Sequence, residues 1–326
     1  METVFSAVNS TGFGLTFGLH SRIQATANKA VARVNAGNIY INRNMIGAVV
    51  GVQPFGGHGL SGTGPKAGGP NYLYRLMRTL RLAVPTEAQA PWSQGSVVEP
   101  TGRVDKLLEQ LEQGYAHWRY QSVGVRAALL EEAIKADFDE NKQANWMHQY
   151  QQLADEVCRF QQEPMTLVGP TGELNQLIHE PRGVLLSFDL RNHTEQDSEL
   201  NKQVLTALLA GNTVLHLCRE GGFSAQQQAR LNSRGSLLIQ QHWALDELSL
   251  RRLVLARQIS GVLIQGNPEQ SQCIHQILRQ REGGLLPVII ETAEPLLLRR
   301  LILEKVVSTN TTASGGNTSL LVLNEE

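Results

Sequence analysis

Cysteine is scarce in this chain of 326 residues: there are three, Cys158, Cys218 and Cys273, with no CxxC spacing. An odd, scattered set argues against a disulfide framework and against a metal site, and it suits a reducing compartment. Net charge is slight as well, −1 from 29 basic and 30 acidic residues. Such a balance creates no broad field toward nucleic acid or an anionic membrane. Long apolar runs are missing, and none approaches the roughly 18–20 residues of a membrane span. The opening METVFSAVNS lacks a basic segment leading into an apolar core, so no secretory leader is predicted. The expectation is a cytoplasmic globular protein with no metal, no nucleic-acid partner and no membrane span. Its length allows about two cores, and 41% of its residues are hydrophobic.

Glycine is present in quantity and is unevenly spread. INRNMIGAVVGVQPFGGHGLSGTGPKAGGPNYLYRL, residues 41–76, holds nine glycines and three prolines around Phe55. That much glycine removes side chains where backbone must come close to something else. Gly57-His58-Gly59-Leu60-Ser61-Gly62 fits G-x-G-x-x-G formally, but it follows Pro54 and opens no predicted helix, so it is no dinucleotide fingerprint. GTGPKAGG has a lysine after glycines but no Gly-Lys-Ser/Thr, so it is no phosphate loop. His58 reads as a solvated loop histidine.

Around this run, Ile23, Ala27, Ala30, Val31 and Val34 fall at helical spacing, with Gly37 as the expected C-cap, and NIYINR alternates as a strand. The proline-bearing stretch 85–102 reads as a linker. A helical block follows over 103–168, closed by the turn GPTGELN. Beyond it, the apolar runs GVLLSF, NTVLHL, GVLIQG and LPVIIE alternate with helix-like segments, which predicts a parallel α/β layer. VVSTNTTASGGNTSLLVL reads as a bent strand or β-flap.

NSTGFGLTFGLHSRI, NAGNIYINRN and the glycine-rich run together resemble the C-terminal end of the aldehyde dehydrogenase superfamily, and within it the glutamate-γ-semialdehyde (pyrroline-5-carboxylate) dehydrogenase part of the proline utilization A family. EPRGVLLSFDLRNHT, VLTALLAGNTVLHLC and the segment 261–294 resemble, with degraded chemistry, the cofactor domain of the same superfamily. The resemblance implies an α/β fold. On the same resemblance, residues 1–84 would form an incomplete catalytic and oligomerisation segment, and 169–326 a degenerate Rossmann-like parallel-sheet domain with a C-terminal β-flap. It also implies NAD-dependent oxidation of L-glutamate-γ-semialdehyde to glutamate as the activity of the parent enzyme.

Site residues follow from the same resemblance. Gly47 and Ala48 match the loop whose backbone amides hold the substrate carboxylate, and consecutive amides without bulky side chains do form an anion-binding concavity. Phe55 would wall the substrate's methylenes, and reads equally as a core aromatic. Asn9 and the Gly12–Leu15 turn would shape the entry. Asn192 falls on the aldehyde-polarising amide, Leu217 on a cofactor-ribose lysine and Glu291 on the catalytic glutamate. Leucine offers no donor to a ribose hydroxyl, and no cysteine matches a nucleophile position, although thiohemiacetal chemistry needs a thiolate. The expectation is therefore a C-terminal fragment with no catalytic residue and no cofactor bound by this chain alone. Its partner would be the remainder of the aldehyde dehydrogenase domain or another copy of the parent enzyme. The alternative is a non-catalytic lid and oligomerisation module covering the dehydrogenase site and substrate channel. Residual nucleotide binding is a third possibility, disfavoured by Leu217.

Overall fold

The structure is a computed structural model, and it describes residues 1–77, 101–135, 140–191, 201–218, 222–235, 237–242, 247–266, 268–290 and 296–312. Among them are twelve strands: β1 (Phe13–Gly14), β2 (Thr16–Leu19), β3 (Asn38–Ile41), β4 (His58–Gly59), β5 (Met165–Leu167), β6 (Glu173–Pro181), β7 (Val184–Asp189), β8 (Thr213–Cys218), β9 (Leu238–His242), β10 (Ile259–Gln265), β11 (Val288–Ile289) and β12 (Ile302–Asn310). The helices are α1 (Glu2–Ser10), α2 (Gln24–Arg33), α3 (Thr101–Trp118), α4 (Val123–Lys135), α5 (Glu140–Gln161), α6 (Lys202–Leu209), α7 (Ala225–Leu231), α8 (Glu247–Leu255), α9 (Pro268–Leu278) and α10 (Leu296–Leu301).

The four apolar runs of the second half become strands of one parallel five-stranded sheet, ordered β11-β10-β7-β8-β9. β9, which carries two glutamines, is the strand that apolar patterning does not reveal. Successive side chains alternate between two cores, as strand geometry requires. Leu185, Val214 and Leu263 face α4, α5, α6 and α10. Leu186, Phe188, Leu215, Leu217 and Val262 face α3, α8 and α9. Coverage on both faces explains why these strands read as unbroken apolar runs. α6 is buried all round, from Gln203 to Leu209, because it lies between the sheet and α4, α5 and α10.

A second five-stranded sheet has the order β2-β3-β12-β6-β5. β2, β3 and β12 run parallel, and β12, β6 and β5 antiparallel. It therefore joins the first 41 residues to the last described strand. The segment read as a bent strand or flap begins, as far as residue 312, as β12, an inner strand between β3 and β6. Within the stretch read as helical, 165–167 form the edge strand β5 instead, because Met165–Leu167 finds the open side of β6. Most of the linker, and residues 313–326, lie outside the described residues.

Gly37 is not the C-cap. α2 ends at Arg33, and its C-cap Val34 is extended. Gly37 is needed for a different reason: a Cβ there would stand 2.0 Å from the Gly56 carbonyl oxygen and 2.8 Å from Lys66 Nζ. The backbone of the glycine-rich run crosses it directly.

Asn212, fully buried, ties the two sheets. Its Oδ1 accepts from Arg182 N (2.8 Å) and Gly183 N (3.0 Å), and its Nδ2 donates to Ala207 O (3.0 Å) and Leu301 O (3.1 Å). Removing it takes the side-chain acceptor from the amides of Arg182 and Gly183 and the side-chain donor from Leu301 O, while Ala207 O keeps the residue-212 amide. Asn212→Ala should lower the unfolding free energy by about 3 kcal/mol or more, measured by urea denaturation.

Candidate functional site

Residues 42–77 lie across one face of the mixed sheet. Pairing register places Asn38 and Tyr40 of β3, Asn175, Leu177 and His179 of β6, and Glu304 and Val306 of β12 on that face. Glu304 is the centre of a buried polar network there. Its Oε2 accepts from Lys66 N (2.8 Å), its Oε1 from Asn71 Nδ2 (2.8 Å), and its carbonyl oxygen from His58 Nε2 (2.9 Å). Asn71 also donates to His179 Nε2 (3.1 Å) and accepts from Arg299 Nε (3.1 Å). Lys66 Nζ donates to Asn38 Oδ1 (3.0 Å) and to the Gly56 carbonyl. Asn38 in turn donates to Pro54 O (3.0 Å). A stack completes the attachment: the Arg299 guanidinium lies 4.0 Å from the Tyr74 ring centre and 4.8 Å from that of Phe160, which stacks on His179.

His58 is thus not a solvated loop residue. It is buried, its Nδ1 lies 3.0 Å from Asn35 Oδ1, and it joins the run to β12. Lys66 is a buried structural hydrogen-bond donor, its Nζ taken up by Asn38 and Gly56. Sequence reasoning missed both, because nothing local shows that a glycine-rich segment will be covered by a strand more than 200 residues away. Asn9, expected at an entry, bridges the end of α1 to Arg33 O (2.8 Å) and Asn35 N (2.8 Å).

Gly47 and Ala48 sit at the exposed tip of the loop, and Gly47 has φ +77° with open space where a Cβ would be. Their two amides donate to no protein group among the described residues. The flanks are pinned. Asn44 Oδ1 accepts from Ile46 N (3.3 Å), and Gln53 Oε1 from Val49 N (3.0 Å). Gln53 Nε2 donates to Glu173 of β6, whose other oxygen pairs with Arg43 at 2.6 Å. Phe55 is half-buried and forms a two-bond bridge with Ala67 (3.0 and 2.9 Å). Asn192 and Glu291 lie outside the described residues.

An open α/β sheet binds nucleotides beyond the carboxyl ends of its strands, where the strand order reverses. Here that point lies between β7 and β10. It is laced shut by Leu190 N to Gln265 O (2.7 Å), Gln265 Nε2 to Asn201 Oδ1 (2.7 Å) and Asn201 Nδ2 to Asp189 Oδ2 (3.4 Å). Arg191 takes both oxygens of Asp189 (2.9 and 2.8 Å). Leu217 is a core residue facing α3, α8 and α9. The described residues do not fit a dinucleotide. Cys218 is fully buried, and burial, reinforced by Asp189, pushes its thiol up to about 11, the opposite of what a nucleophile needs. Burial likewise raises the Cys158 thiol. No group of three His, Cys, Asp or Glu able to hold a metal occurs among the described residues, and no described helix is long and apolar enough to cross a membrane.

Residues 1–81 match the aldehyde dehydrogenase family model. Along nearly its whole length the chain is further similar to one kind of multidomain relative: it is 31% identical to the bifunctional protein PutA of Escherichia coli and 34% identical to that of Rhizobium meliloti, each over 99% of this chain. It spans 22% and 23% of the length of those two proteins. Over 70 residues, 22% of this chain and 14% of the relative, it is 52% identical to the 1-pyrroline-5-carboxylate dehydrogenase of Geobacillus kaustophilus. Among solved structures, proline utilization A from Corynebacterium freiburgense aligns over 95% of this chain and 24% of its own, with 21% identity and a TM-score of 0.46. A Bradyrhizobium japonicum variant gives 0.48 with 22% identity, over 60% of this chain and 22% of its own. Both scores lie below 0.5, so the family match rests on the sequences.

The network also sets a pH dependence. Burial lowers Lys66 from 10.5 to about 7, with Glu304 opposing and Lys305 adding to the shift. In the unfolded chain Lys66 keeps its proton up to about 10.5, so between the two values the unfolded state binds more protons. Stability therefore rises with pH across that window, by about 1.4 kcal/mol per unit at most, and the Lys66 contribution is flat below pH 7. For His58, lowered to about 3 mainly by burial, the same sign applies between 3 and 6.5. Urea unfolding at pH 7 and pH 9 should show about 2–3 kcal/mol of added stability, and Lys66→Met should remove that increment; equal increments in the two proteins would refute the assignment.

Proposed function

We propose that the chain serves the oxidation of L-glutamate-γ-semialdehyde to glutamate in proline catabolism, as the carboxylate-anchoring part of an NAD-dependent dehydrogenase and not as a complete catalyst. The substrate assignment is supported by the similarity to 1-pyrroline-5-carboxylate dehydrogenases, which falls on 70 residues. The carrying observation is the pair of free amides at Gly47 and Ala48, exposed at the tip of a loop whose flanks are hydrogen-bonded in place. Each charge-assisted bond to a substrate carboxylate contributes roughly 1.5–3 kcal/mol. Phe55 borders the same run and would line the path of the methylenes.

The parent reaction would need, first, a thiolate to attack the aldehyde carbon and, second, a bound NAD as hydride acceptor, before water releases glutamate. Neither Cys158 nor Cys218 suits the first step, and the switch point described above does not suit the second. Those functions fall to the remainder of the dehydrogenase domain or to another copy of the parent enzyme, against which Ile46, Val49, Val50, Leu73 and Leu76, all exposed, would pack. The second reading, a covering and assembly module, is favoured by one observation. β6 and β12 of the C-terminal half supply Glu173 and Glu304, the two carboxylates that hold the glycine-rich run. The two readings are compatible: the module clamps the anchor it covers.

Given the semialdehyde and NAD, the purified chain is expected to form no NADH and, by calorimetry, to bind no NAD. A PutA lacking the corresponding segment should regain dehydrogenase activity when the chain is added. NADH formation by the chain alone would overturn the proposal, as would failure of the added chain to restore activity.

A further inference from the structure

The opposite face of the mixed sheet carries a second constellation that the proposed function does not use. Register places Ile39 and Ile41 of β3, Ile178 and Glu180 of β6, and Lys305, Val307 and Thr309 of β12 on this face, away from the glycine-rich run. α1 and α2 cover part of it. What they leave open is a cleft of about 380 Å³ with an apolar floor that includes Val31, Ile41, Ile178 and Val307. A second cleft of about 290 Å³, between α1 and the end of α3, adjoins it, and Arg119 and Tyr120 border both.

The charge at this junction is unbalanced. The Arg119 guanidinium lies over two rings, 5.2 Å from the Tyr115 centre and 5.1 Å from that of Tyr120. Arg33 lies 5.6 Å from the Tyr120 centre. Tyr115 is itself fixed, its hydroxyl donating to Pro181 O at 3.1 Å. Neither arginine has a carboxylate partner among the described residues. The nearby carboxylate on the sheet, Glu180, is already bonded to Lys305 Nζ at 2.8 Å, and Glu2 stands on the wall of the smaller cleft. Rings hold the two guanidinium planes while their N–H groups stay free, and such groups grip an oxyanion bidentately.

We propose that this double cleft binds a small organic anion. Its carboxylate or phosphate sits between Arg33 and Arg119, and its flat apolar body lies over Ile41, Ile178 and Val307. The inference is independent of the glycine-rich run and of the proposed function. The test titrates the full chain with phenyl phosphate, benzoate and inorganic phosphate, read by calorimetry and by shifts of the tyrosine ring resonances. Saturable binding of phenyl phosphate or benzoate is expected, at least tenfold tighter than inorganic phosphate. The two aryl probes decide between phosphate and carboxylate as the preferred head. Arg119→Gln and Arg33→Gln should each weaken binding at least tenfold without changing the melting temperature, and Arg33, being exposed, can be replaced without disturbing the core. No saturable binding, equal affinity for inorganic phosphate, or binding unaffected by both substitutions would overturn the proposal.

Discussion

The parallel pairing of β3 with β12, and the carboxylate of Glu304 that β12 brings with it, hold the order of the first 77 residues. A glycine-rich run has few side chains to bury, so apolar burial contributes little to fixing it. It must be held by hydrogen bonds, and the strongest come from charged acceptors. The Glu304 carboxylate takes one bond each from Lys66 N and Asn71, and its backbone carbonyl takes one from His58, three points spread along fourteen residues of the run. Glu173 holds the anchor loop through a hydrogen bond from Gln53 and an ion pair with Arg43. Both carboxylates are buried or half-buried, and each is matched by donors, so that the cost of taking them from water is offset.

The mixed sheet divides the chemistry of the molecule by the two-residue period of its strands. On one face Asn38, His179 and Glu304 organise polar contacts to the glycine-rich run. On the other, Ile41, Ile178 and Val307 form an apolar floor rimmed by arginines. Lys66 and Lys305 mark the two sides: the first is held by Asn38 and Gly56, the second by Glu180 and Val31. The parallel sheet, by contrast, is occupied with itself. Leucines fill both faces, and the switch point where a ligand would enter is closed by Asp189, Arg191, Asn201 and Gln265. This is a Rossmann-like sheet whose described residues are committed to packing.

Legibility in the sequence followed the length scale of each feature. β3, β7, β8, β10 and β11 could be read because alternation or an apolar run is local and strands follow it. α2 was equally plain, although its C-cap was not: Gly37 is a glycine because another backbone crosses it, and no neighbouring residue records that crossing. β9 escaped because its two glutamines interrupt the apolar pattern, and Gln240 serves instead to bond both backbone groups of Phe223. His58 and Lys66 looked like loop residues for the same reason that Glu304 looked unremarkable. The first two are polar residues of a glycine-rich run and the third is a charge in an apolar strand, and only their meeting buries all three.

By itself the sequence determined the α/β class and the match of residues 1–81 to the aldehyde dehydrogenase family model, since each depends on residue identity at a position. Tertiary structure alone decided which strand lies beside β3, why His58 and Lys66 are buried, and that Arg33 and Arg119 converge on one tyrosine. These are contacts between residues dozens to hundreds of positions apart. They arise from strand pairing and sheet facing, which a linear pattern specifies only through the fold it produces.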